Sequence, residues 1–217
     1  MKLEQWFALP VAVDTINKPD IFHNQLKDYI LEIENSEEEN KILTQSKKTG
    51  LYESEWNLLD RSEPVIRELK EEIFSRVKAL VCKLNGYHEK ISSSMVIKQQ
   101  TWFHVTRNGG YFTNHNHPMA SWSAVYCVAE GDYNSGDDSG VTRFFSPFQI
   151  NGYIDAGNVN LQPPFSQSTM NIKLRTGQII FFPSNLMHEV SPYLGAKERI
   201  TIASNFWFEN KYVNIRA

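Results

Sequence analysis

From Ser94 onward the chain is a series of short runs rich in β-branched and aromatic residues: "MVIKQQTWFHVT", "SWSAVYCVAE", "GVTRFFS", "MNIKLRTG", "QIIFFP" and "RITIASNFWFE". Clusters of Gly, Asn, Asp, Ser and Pro separate them. Runs of this length between turn residues read as strands, and a series of them makes a sandwich or a barrel. Aromatic residues, 12 % of the chain, gather in this half and supply the core such a fold needs. A mainly β fold is therefore expected.

The first ninety residues have a different period. Phe22, Leu26, Tyr29, Ile30 and Ile33 fall on one helical stripe that ends in the acidic run "ENSEEEN", a solvated helix end or loop. A longer helix is predicted from about Ser62, with Pro64 in its first turn. It runs through Val65, Leu69, Ile73, Val77, Leu80 and Leu84 and stops at Asn85-Gly86. It is expected to pack across a sheet.

A chain of 217 residues fits one domain. The net charge of −3 gives no electrostatic reason to expect nucleic acid or an anionic membrane as partner. The opening "MKLEQWFALPVAVD" is too weak for a signal peptide, and no apolar run is long enough to span a bilayer. Cys82 and Cys127 are isolated, which suits a soluble, cytoplasmic protein. Nothing in the sequence fixes the oligomeric state.

The residues that carry chemistry lie in the β half. In "FTNHNHPMASW", His115 and His117 are two apart, so on a strand they share a face. That pair alone leaves open a metal site or two polar residues on a wet face. In "TGQIIFFPSNLMHEVSPYLGAKERITIASNF", a strand from Gln178 to Phe182 ends at Pro183, and His188 follows. Arg199 opens the next strand, which predicts a hairpin with a histidine in its connection and a cation on the returning strand. A buried arginine is costly without an anion. It is either half of a structural Arg–Glu pair, an edge residue facing water, or a bidentate partner for a ligand carboxylate.

Taken in order, these residues resemble the 2-oxoglutarate- and iron(II)-dependent oxygenases, close to the prolyl-hydroxylase-like branch. The pattern runs through Trp102, Gly109, Gly110, Tyr111, His115, His117, Pro118, Ser123, Val125, Tyr126, Ser139, Gly140, Phe145 and Pro147. It continues through Gly177, Phe181, Phe182, Pro183, His188, Val190, Arg199 and Ile200. The resemblance implies a double-stranded β-helix (jelly-roll, cupin-like) core over residues 93–217, with a largely helical part, 1–92, packed on one sheet of the same domain. It implies iron(II), 2-oxoglutarate and dioxygen as cofactors, with three protein ligands on one face of the metal. Arg199 stands where the family holds the far (C5) carboxylate of 2-oxoglutarate, and Ser123 and Tyr126 are further candidates for its carboxylates. No catalytic residue is expected beyond the metal ligands. The substrate would be a peptide, an amino acid or another small molecule, hydroxylated with release of succinate and carbon dioxide.

One departure matters. Most of this superfamily has H-x-D or H-x-E where this chain has His115-Asn116-His117. Three histidines, His115, His117 and His188, are the favoured ligands. The alternatives are a carboxylate from Asp132, Asp137 or Asp138, or water or halide in the place of His117. Two other readings use the same residues: a cupin metalloenzyme without 2-oxoglutarate, and a non-catalytic jelly roll used in binding or assembly. The first lacks the glutamate usual after H-x-H, since "PMASWS" has no acid, and it leaves Arg199 unexplained.

Among the remaining residues, Trp102, Trp122, Phe181 and Phe182 are expected in the core, and Asn205 either lines the pocket or caps a turn. His23, His88 and His104 are expected at the surface or in structural hydrogen bonds. Residues 130–140 are expected to form a hairpin connection. The long loop 151–169 is expected to border the site mouth as a lid.

Overall fold

The computed structural model describes residues 2, 8–36, 50–132, 138–147, 154–162, 164–165 and 169–213. A short strand β1 (Ala12–Thr15) precedes helix α1 (Asp20–Asn35). Helix α1 buries Phe22, Leu26, Ile30 and Ile33, the stripe its period predicts. Strand β2 (Leu51–Glu53) and a 3-10 turn (Leu58–Asp60) lead into helix α2 (Pro64–Asn85). Pro64 sits in the first turn, where its missing N–H costs nothing. Gly86 ends the helix in the left-handed conformation, φ 64°, and the next amide, of Tyr87, closes onto Cys82 O at 2.9 Å. The buried face of α2 is Ile66, Leu69, Ile73, Val77 and Val81, so it is rotated from the expected stripe at both ends, and Leu84 is exposed. A five-residue helix α3 (Glu89–Ser93) completes the helical part.

The strands that follow are β3 (Val96–Thr106), β4 (Phe112–His115), β5 (Trp122–Ala129), β6 (Thr142–Phe144), β7 (Met170–Ile172), β8 (Gln178–Pro183), β9 (His188–Val190) and β10 (Arg199–Glu209). All six expected runs contain strands. They form two antiparallel sheets, in the orders β1-β8-β5-β10-β3-β2 and β4-β9-β6-β7. The chain crosses between the sheets: β4 to β5, β5 to β6, β7 to β8, β8 to β9 and β9 to β10 each change sheet. This winding is the double-stranded β-helix that the resemblance implied.

It also corrects two expectations. Residues 130–140 do not close a hairpin, because β5 and β6 belong to different sheets; positions 133–137 lie outside the described residues. Nor do β8 and β10 form one, since each pairs with β5 and β9 leaves for the other sheet between them. Turn residues show that a chain reverses, not which sheet it enters next.

The central strands of the large sheet, β5, β8 and β10, and the second half of β3 bury both faces. Phe103, Val105, Ala124, Tyr126, Val128, Ile179, Phe181, Ile200, Ile202 and Phe206 share one hydrophobic cluster with the buried faces of α1 and α2. The helices and this sheet thus hold a common core. The opposite face carries Cys127, Ile180 and Phe182 against Phe144, Leu174 and Leu186, which is the space between the sheets. Cys82 and Cys127 are both free. Among the described residues, no helix is long and apolar enough to cross a membrane. Of the loop 151–169, the described part exposes Ile154, Val159, Leu161 and Phe165; the other positions, like residues 37–40 of the acidic run, lie outside the described residues.

Candidate metal centre

Strands β4 and β9 of the small sheet put His115 opposite His188 in register. His117 lies two residues beyond the end of β4, and its amide donates to Ser184 O at 2.7 Å, which holds the chain alongside the end of β8. The expected same-face pair therefore forms across a strand end, not within a strand. One potential ligand atom from each of His115, His117 and His188 lies within 4.8 Å of the others. Ring centroids are 5.2 Å apart for His115–His117, 4.3 Å for His115–His188 and 5.3 Å for His117–His188. Metal–imidazole bonds of about 2.1 Å keep ligand atoms within roughly 4.2 Å of one another, so small rotations of these rings complete a coordination face.

Two of the rings are already oriented. His115 Nδ1 donates to Thr113 O at 2.7 Å and His188 Nδ1 donates to Leu186 O at 2.9 Å. A carbonyl on Nδ1 leaves the Nε2 lone pair free for a metal, the arrangement usual in ligating histidines. Phe182 packs edge-on against His188 at 5.0 Å and Phe144 lies 5.7 Å from it. Burial, then the neighbouring His115, lowers the His117 pKa to about 4 and the His188 pKa to about 3. Both rings are neutral near pH 7, the form that binds a metal.

Among the described residues, neither Asp132 nor Asp138 joins this cluster. Asp132 accepts from the amides of Ala196 and Lys197, and Asp138 pairs with Arg143 at 2.9 Å. Asp137 lies outside the described residues.

Arg199 opens β10, opposite Thr106 of β3, and is 6 % exposed. Period two along β10 puts Arg199, Thr201, Ala203 and Asn205 on one face, away from the helix-side Ile200, Ile202 and Phe206. Burial pulls the Arg199 pKa down, opposed by Cys127 and Tyr193, yet a guanidinium stays charged in proteins. Among the described residues no carboxylate pairs with it and no hydrogen-bond acceptor reaches it, so the structural Arg–Glu pair is excluded there. A buried cation without a partner suits an incoming anion. Gly140 makes room for it: at φ 64°, a Cβ there would stand 3.2 Å from Arg199 Cδ.

Ser123 faces the same interior. Its hydroxyl donates to Asn205 Oδ1 at 2.7 Å and lies 2.8 Å from Ser184 Oγ. Asn205, 9 % exposed, is thus a wall residue and not a turn cap. Tyr126 is not part of the site. Three residues from Ser123 on one strand, it must point to the other face. There it packs among the helix-side core, with its hydroxyl 3.1 Å from His23 Nδ1. The two aromatic neighbours Phe181 and Phe182 divide in the same way, Phe181 to the helices and Phe182 to His188.

His104 is held in hydrogen bonds, one of the two expected outcomes, and the residue missed by the sequence reading is its partner Glu53. His104, opposite Thr201 on β3, is 8 % exposed, and its Nε2 lies 3.1 Å from Glu53 Oε2 and 2.9 Å from Trp102 Nε1. One ring nitrogen cannot serve both at once: the indole N–H needs its lone pair and the carboxylate needs its proton. Trp102 and His104 wall the triad, with Trp102 5.7 Å from His117 and His104 4.5 Å from Phe112, which stands 5.8 Å from His115. Burial works to raise the Glu53 carboxyl pKa, but hydrogen bonds from His104 and Trp56 outweigh it and leave it lowered. The only sequence signal was the alternation of Trp102 and His104 on one strand, and nothing marked Glu53.

Residues 100–205 match the sequence model of the family described as "Putative 2OG-Fe(II) oxygenase", which bears out the resemblance read from the motif. No curated protein matches the chain. A prolyl-4-hydroxylase from Pseudomonas putida superposes with a TM-score of 0.57 at 13% identity, over 91% of this chain and 92% of that one. The epimerase SnoN in complex with Fe3+, alpha ketoglutarate and nogalamycin RO gives 0.62 at 12% identity, over 94% and 82%. A prolyl hydroxylase from Trichoplax adhaerens, bound to a hypoxia inducible factor peptide fragment, gives 0.57 at 14% identity, over 91% and 83%. At these identities the likeness is one of fold. The residues brought together here fit the two cofactors that the family description names: a cluster of three imidazoles for a divalent iron and a buried guanidinium, without a partner among the described residues, for a dicarboxylate.

Proposed function

We propose that this chain is a 2-oxoglutarate- and iron(II)-dependent dioxygenase. It hydroxylates an unactivated C–H bond of a peptide, an amino acid or another small molecule and releases succinate and carbon dioxide. One observation carries the reading: the three-imidazole cluster and Arg199, which has no partner among the described residues, face one interior between two sheets. A cupin site without a 2-oxo acid accounts for the first and not for the second.

His115, His117 and His188 would hold the metal, with Thr113 and Leu186 carbonyls fixing two of the rings. The bound pair would supply oxidative decarboxylation and the oxidant. Arg199 would bind the far carboxylate of 2-oxoglutarate through a charge-assisted pair, which orients the 2-oxo acid end toward the triad. The Ser123–Asn205–Ser184 network lies on the same wall and offers hydroxyl and amide groups to the remaining oxygens. Phe144 and Phe182 shield the buried His188 from water, and Trp102 covers one side of His117.

The test is release of labelled carbon dioxide from 1-labelled 2-oxoglutarate by iron-loaded protein in air, with His188→Ala as control. We expect slow turnover even without substrate, abolished in the variant. Iron-loaded, folded protein that releases no label, alone or with candidate peptide and small-molecule substrates, contradicts the proposal. Neighbours of this fold include an epimerase and a carbocyclase, so products are to be examined for isomerisation and ring closure as well as for added oxygen.

A further inference from the structure

We infer that Glu53 supplies, from outside the coordination sphere, the negative charge that this site lacks because its ligands are three neutral imidazoles. The inference rests on the metal reading above.

A divalent ion, the Arg199 guanidinium and a doubly charged 2-oxo dicarboxylate sum to one positive charge if all protein ligands are neutral. An H-x-D or H-x-E triad would cancel that charge directly. Here His117 occupies the position, and an uncompensated charge in a closed interior is costly. Among the described residues, neither Asp132 nor Asp138 faces the triad; each is engaged elsewhere.

Glu53 does face it. Strand β2 pairs Glu53 with His104, and the pleat turns both side chains to the inner face, while Tyr52 between them packs on Phe103 of the outer one. Its side chain is 14% exposed, and its carboxylate lies 3.1 Å from His104. From there to the triad each path crosses two rings: His104 to Phe112 at 4.5 Å and on to His115 at 5.8 Å, and His104 to Trp102 at 6.3 Å and on to His117 at 5.7 Å. Packed rings leave little room for water between carboxylate and metal, so the field is screened less than it would be in solvent. Geometry keeps Glu53 from being a ligand, because no oxygen of it joins the cluster of three nitrogens. A purely structural Glu–His pair needs neither this placement behind the triad nor a triad short of one charge.

The test is manganese(II) affinity, measured without 2-oxoglutarate by electron paramagnetic resonance of the free ion, on the full chain. Removal of an outer partner of a metal site typically weakens binding about 10–100-fold. Glu53→Gln, which keeps the shape and loses the charge, is expected to weaken manganese binding at least about tenfold. Glu53→Asp retains the charge and is expected to recover most of the loss. Glu209→Gln, at the exposed far end of β10, is the control and is expected to bind like wild type. If Glu53→Gln does not fold, Trp56→Lys places a cation beside Glu53 from a position that is 54% exposed, and it is expected to weaken binding in the same direction. Wild-type manganese affinity retained in folded Glu53→Gln or Trp56→Lys, or equal losses in Glu53→Gln and Glu53→Asp, overturns the inference and leaves the proposed function standing. Wild-type protein that binds no manganese overturns both.

Discussion

At the scale of single residues, the site depends on side chains held by local backbone devices. Arg199 needs space, and Gly140 provides it by combining a left-handed φ of 64° with the absence of a Cβ. Gly140→Ala is expected to cost about 1–2 kcal/mol from the left-handed backbone alone. It also crowds Arg199 Cδ, so thermal unfolding and 2-oxoglutarate titration should show lowered stability together with weakened binding. A variant as stable and as tight as wild type would remove Gly140 from the account. The histidines and Arg199 were legible in the sequence because their types are rare and their order matches a family motif. Glu53 was not. An acid on a three-residue strand has no period to mark its face, and its partner His104 comes fifty-one positions later.

At the scale of elements, the pleat sorts residues more strictly than a motif does. Ser123 and Tyr126 both stand in the strand after H-x-H, yet three positions apart on β5 they belong to opposite faces. Tyr126→Phe should therefore leave 2-oxoglutarate affinity unchanged. It should lower stability by about 1 kcal/mol through loss of the contact with His23 Nδ1. A selective loss of 2-oxoglutarate binding in this variant, measured by titration calorimetry, would return Tyr126 to the site. Long elements were readable: α2 and β8 follow from their periods and their Pro and Gly stops. Strands β1, β2, β4 and β9, of three or four residues, were not singled out, because so short a run has no measurable alternation. They matter all the same, since β4 and β9 carry two of the three imidazoles.

At the scale of the whole molecule, two desolvated histidines of the triad, His117 and His188, make metal-free stability depend on pH. Burial lowers His117 to about 4 and His188 to about 3, from the ordinary 6.5. Between those values and 6.5 the unfolded chain binds more protons than the folded one, so folding stability falls as the pH drops through that window. At pH 5 each histidine contributes at most about 2 kcal/mol of loss, by order of magnitude. Chemical unfolding of metal-free protein at pH 7 and pH 5 should show this decline. A flat profile would mean the rings are less desolvated than the fold indicates. At pH 7, manganese at a hundred times its dissociation constant should add about 2.7 kcal/mol. The connections between sheets are what the sequence could not show. Which sheet a strand joins is decided by long-range pairing, here by β10 lying between β3 and β5.

The central claim is that the lone buried guanidinium and the imidazole triad serve one 2-oxo dicarboxylate bound to a metal. It is tested most directly by 2-oxoglutarate titration calorimetry, under argon with manganese present, on folded wild type and Arg199→Met. Truncating one partner of a buried charge pair costs about 2–5 kcal/mol. The variant should therefore bind 2-oxoglutarate about thirty- to several-thousand-fold more weakly. Its manganese affinity should stay near wild type, because Arg199 is not a ligand. Equal 2-oxoglutarate affinity in the two proteins, or no binding by wild type at millimolar concentration, would contradict the account.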